Sequence, residues 1–118
     1  MENTNANRII KELQVEVISN GIAADKIVPE LKKLREIALV EQNPVVVKAL
    51  RLAYEHIDKN KDFLVTMPSD EPIDEMEQTV SETSHSENFN YFLSLMLDLN
   101  NKHNISDLRE FNNQLLDY

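Results

Sequence analysis

In DKIVPELKKLREIALVEQ the residues Ile27, Leu31, Leu34 and Ala38 stand at offsets 0, 4, 7 and 11, and Val46, Leu50, Ala53 and Ile57 repeat those offsets in the segment that follows. This spacing gathers each set into one stripe of an α-helix and leaves the charges on the other faces. Asn43-Pro44 divides the two segments. Asparagine is a favoured N-cap, and proline at the first helical position gives up an N–H that would have no helical partner anyway. Two such stripes joined by so short a turn bury their apolar faces by lying against each other, so residues 25–59 are expected to form an antiparallel helical hairpin. Pro29 falls near the start of the first helix, where a missing N–H costs least. NPVVVKALRLAYEHI resembles the hairpins of helical-repeat proteins in generic helix grammar only; no further repeat unit exists to build a solenoid.

The remaining segments extend the pattern to an all-α fold, a small helical bundle of four to five helices in a single domain spanning residues 1–118. Upstream, NANRIIKELQVEVISNG sets Ile9, Leu13 and Val17 at helical spacing and ends at Gly21, the chain's one glycine and a natural C′ residue. Its LQVEVI core also alternates as a strand would, and FLVTMP at 63–68 is too short to assign as helical or extended. ENFNYFLSLMLDLNNKHN carries apolar residues on nearly every face of a helix. Such a helix is either the centre of the bundle or packs on a second chain as well. The second alternative gives an expected homodimer, with Phe89, Phe92, Leu93 and Met96 at or near its interface. Ser106 is the candidate N-cap of a last helix that aligns Leu108, Phe111 and Leu115.

Charge is distributed unevenly. Residues 1–67 hold ten acids and ten bases, whereas residues 68–118 hold eleven acids against Lys102 and Arg109, so the net charge of −9 lies wholly in the second part. Its densest stretch is PSDEPIDEMEQTVSETSHSE, residues 68–87, with seven carboxylates and neither Lys nor Arg. Pro72 at a first helical position, followed by Asp74 and Glu75, suits a helix start. Ile73, Met76 and Val80 would then share one side. A helix of two or three turns is marginal alone, so residues 72–80 are expected to be helical only while those three docking side chains are seated, on the bundle or on a partner. Ser84 and Glu87 have the spacing of a capping box for the helix that follows.

Several function classes are disfavoured. No cysteine is present, which removes disulfides and thiolate zinc sites, and a single glycine leaves no phosphate-binding loop. An acidic surface repels phosphate backbones, so nucleic acid is not expected as a partner, although Lys32, Lys33 and Arg35 form a local basic group. Those three read as a salt-bridged helix face beside Glu30 and Glu36. No apolar run is long enough to span a bilayer and MENTNANR has no apolar leader, so a cytoplasmic protein without a membrane partner is expected.

Metal and catalytic patterns are thin. Glu82 and His85 make one Glu-x-x-His match, where a bundle dimetal site wants two such motifs and two more glutamates. Glu12 with Glu16 and Asp58 with Asp62 read as solvated pairs. His56 falls at the edge of a core stripe, and His103 is assigned to a helix end where the dipole favours a cation. No catalytic, metal or cofactor-binding residue is therefore assigned, and no cofactor is expected. The reading is a non-catalytic interaction or scaffold protein that self-associates. The alternatives are an acidic regulator that occupies a basic partner surface, and an enzyme using scattered carboxylates and histidines.

Overall fold

The computed structural model describes residues 1, 3–65 and 85–117, which form five helices and no strand. The helices are α1 (Thr4–Asn20), α2 (Ala24–Val40), α3 (Pro44–Asn60), α4 (His85–Leu95) and α5 (Lys102–Asp117). The all-α bundle is thus observed, and the LQVEVI segment is helical. Ile73, Met76 and Val80 lie outside the described residues, as do Ser84 and the 72–80 interval.

All eight residues of the twin stripes have no exposed surface at all, which makes α2 and α3 the predicted hairpin. The turn is closed by backbone bonds from Glu41 N–H to the Ile37 carbonyl and from Asn43 N–H to the Ala38 carbonyl, with Gln42 left-handed at φ 56°. Asn43 occupies the cap position without a side-chain bond, so Pro44 supplies the local signal for the start of α3. Pro29 lies further into its helix than the sequence suggests. α2 begins at Ala24, so the proline deletes one interior bond, that to the Asp25 carbonyl.

α1 starts at Asn3, whose Oδ1 accepts the Ala6 N–H at 3.1 Å, and it buries Ala6, Ile10, Leu13 and Val17. It ends at Gly21, where φ of 74° admits glycine without strain and the N–H donates to the Val17 carbonyl.

The segment 87–104 is not one helix. α4 stops at Leu95, and the side chain of Asn104 reaches back to donate to the carbonyls of Asp98 at 2.8 Å and Leu95 at 3.4 Å. Asn101, rather than Ser106, caps α5: its Oδ1 accepts the His103 N–H at 2.9 Å. His103 therefore sits in the first turn of α5, and the helix-end role assigned to it falls away.

The helices close a ring in which α1 packs on α2, α2 on α3, α3 on α5, α5 on α4 and α4 on α1. Among the described residues α3 and α4 do not pack on each other directly. Phe63, from the loop after α3, fills the gap, and its ring centroid lies 5.1 Å from that of Phe89, 5.5 Å from Phe92 and 6.0 Å from Phe111. Truncating Leu34 or Leu50 to Ala should cost about 2–5 kcal/mol in urea unfolding. A loss below about 0.5 kcal/mol at each would contradict the buried hairpin.

Candidate functional site

The residues that bracket the acidic stretch are built into one short loop. α3 ends at Lys61, which is left-handed at φ 60° and donates its N–H to the Ile57 carbonyl at 2.7 Å. This bend turns residues 62–65 back over the end of α3. Phe63 and Val65 are buried at 0% and 2% exposure while Leu64 points partly outward, an alternation of period two that marks extended chain. An extended segment without a neighbouring strand must find other partners for its backbone.

His56 supplies one. Its imidazole is 6% exposed and Nε2 accepts the Leu64 N–H at 2.9 Å. Nε2 must be bare to accept, so the neutral ring carries its proton on Nδ1. Asn60 Nδ2 lies 3.3 Å from that nitrogen and donates to the His56 carbonyl at 3.0 Å. The edge of the ring meets Phe63, with centroids 5.9 Å apart at 77°. Burial pushes the imidazole below its ordinary pKa, a tendency opposed by the Asp62 carboxylate and reinforced by Lys59.

Asp62 joins the other side. Oδ1 accepts the Phe63 N–H at 2.8 Å, while Oδ2 accepts from Nδ1 of His85, the first residue of α4, at 2.6 Å. The pair is open to solvent, with side-chain exposures of 48% for His85 and 36% for Asp62, so it orients the chain more than it stabilises it. The last described residues before 66–84 and the first after it are thereby held together by two histidines and one aspartate. Residues 66–84 carry six of the seven carboxylates counted in 68–87.

The predicted interface residues lie elsewhere. Phe89, Phe92, Leu93 and Met96 are all fully buried within the one chain. The premise that α4 has more apolar surface than the bundle covers is corrected: α4 spans only 11 residues, and α1, α5 and Phe63 cover it. Self-association through these four side chains would require opening the core.

In the basic group Lys33 pairs with Glu30 at 3.2 Å and Lys32 lies 5.5 Å above the Tyr54 ring, while Arg35 Nε is buried without a hydrogen-bond partner among the described residues. Glu12 pairs with Arg8, Glu16 accepts from Asn20 and Asp58 pairs with Lys61. Of the Glu-x-x-His match only His85 is among the described residues, and it binds Asp62. Among the described residues no three His, Cys, Asp or Glu side chains gather to hold a metal ion. No described helix is long and apolar enough to cross a membrane. The outer face of α1 exposes Val15 and Ile18, and Val15 shares an open hollow with Asn7, Arg8, Lys11, Glu12 and Glu16.

No family model, curated protein or solved structure matches this chain.

Truncation of Phe63 to Ala should cost about 3–5 kcal/mol. Asp62→Asn and His85→Asn should each cost less than about 1 kcal/mol near neutral pH, because their pairing is solvated. Urea unfolding of the three variants checks the contrast; equal losses would show that the exposed pair, and not the aromatic seat, holds the loop.

Proposed function

We propose that this chain is a non-catalytic interaction protein whose helical body mounts the acidic stretch 66–84 for a basic protein surface. The observation that carries this reading is the joining of Leu64 and His85 at one place on the body through His56 and Asp62. The stretch between those two anchored ends carries six carboxylates and neither Lys nor Arg. Concentrated like charge steers association with an oppositely charged surface and makes it depend on salt.

The charge pattern supports the same reading. Residues 1–67 are balanced in charge, and their described cations Lys33, Arg51 and Lys61 have acidic neighbours at salt-bridge distance. The excess acid of the chain lies in its second part, most densely in 68–87. A basic protein partner fits that excess better than nucleic acid, whose phosphates would be repelled.

The test is affinity capture from source cells with the full chain and with a variant in which Asp70, Glu71, Asp74, Glu75, Glu77 and Glu82 are changed to Asn or Gln. The captured proteins should be basic, should be lost with the variant, and should release as salt is raised to about 0.5 M, where the Debye length falls to a few ångströms. Equal capture by both chains, unaffected by salt, would overturn the reading.

A further inference from the structure

We propose that His56 is an acid-released latch: the neutral imidazole holds the 62–65 loop on α3 by accepting the Leu64 N–H, and protonation of the ring frees the loop where the chain departs toward the acidic stretch. The chemistry is a change of sign at one atom. Neutral Nε2 is an acceptor, whereas in the imidazolium both nitrogens carry protons, and Nε2–H would then face the Leu64 N–H across 2.9 Å. Two donors at that distance repel, and the ring cannot retreat without leaving its edge contact with Phe63.

The surroundings favour the neutral ring. Of the charged groups near it, Lys59 opposes protonation and Asp62 favours it, but the Asp62 carboxylate also accepts from Phe63 N–H and His85 Nδ1. On the helices packed against α3, the buried residues of α2 are Ile27, Val28, Leu31, Leu34 and Ala38, and those of α5 are Leu108, Phe111, Asn112 and Leu115, none of them titratable. Burial and Lys59 together outweigh Asp62, and the pKa is lowered.

The sign follows from linkage. The unfolded chain binds the proton more readily than the folded one, so the latch contributes its full stability above the ordinary histidine value near 6.5 and loses it as pH falls through the lowered folded value. Acid therefore loosens the Leu64 side of the neck.

This deepens the proposed function, because the loop is where the acidic stretch leaves the body, yet its test needs no partner and can fail independently. The experiment follows Leu64 amide exchange in the full chain between about pH 8 and pH 5, corrected for the intrinsic exchange rate, alongside the nitrogen shifts of the His56 imidazole. Leu64 protection should fall by up to about tenfold per pH unit between the ordinary histidine value and the lower His56 midpoint, as one coupled proton requires, and level off below that midpoint, while α3 amides such as Leu50 stay protected. His85→Asn should keep this response, and His56→Gln should abolish it. Protection at Leu64 that does not follow the His56 titration, or a response that vanishes in His85→Asn, would overturn the latch; because the first is read on the unmodified chain, misfolding of His56→Gln does not decide the matter.

Discussion

The seating of Phe63 is the contact on which the rest of the arrangement depends. α3 and α4 lie on the same ring of helices without packing on each other, and one phenylalanine from a loop touches Phe89 and Phe92 of α4 and Phe111 of α5. Buried aromatic contacts of this kind add geometric preference to the burial of a large apolar side chain. Two polar interactions then fix how the backbone passes that point. His56 takes up the Leu64 N–H, which extended chain beside a helix would otherwise leave without a backbone partner, and Asp62 ties the loop to the first residue of α4. Removal of the ring at 63 would take away the reason for both.

This arrangement separates two tasks along one chain. The body closes its core with ordinary helix packing and carries exposed ion pairs such as Arg8 with Glu12 and Arg51 with Glu55, while its ten acids and ten bases up to residue 67 balance. Such exposed pairs add little stability, but they leave the first half without a net field. The unbalanced carboxylates fall after Met67 in the sequence. In the proposed reading the body is a mount and the acidic stretch is what a basic surface meets. In the proposed latch His56 gives the mount its sensitivity to acid.

The hairpin was legible in the sequence because every local signal agreed: equal offsets, a proline at the turn, and stripes of Leu, Ile, Val and Ala that are buried as expected. The boundary between α4 and α5 was not legible. Its determinants are the side chains of Asn101 and Asn104, and an asparagine within an apolar helical pattern does not announce that it will turn back to bond a carbonyl. Reading 87–104 as one helix also inflated its apparent apolar surface and gave Phe89, Phe92, Leu93 and Met96 an interface role, although the bundle covers them. The neck was missed for a different reason. His56 was visible as a helix-edge residue, but its partner is a backbone amide eight positions on, reached only because Lys61 bends the chain. The one available signal was the alternation of Phe63 and Val65 after a helix end.

The central claim is that the helical body is a complete mount, independent of what it carries. The most direct test is equilibrium urea unfolding of a chain in which residues 68–83 are replaced by a Gly/Ser linker of equal length. A self-sufficient body should show a single cooperative transition within about 1 kcal/mol of the parent chain, since equal loop length leaves the closure entropy nearly unchanged. Loss of cooperativity, or a fall of more than about 3 kcal/mol, would show that the replaced residues are part of the core and would contradict the separation of mount from cargo.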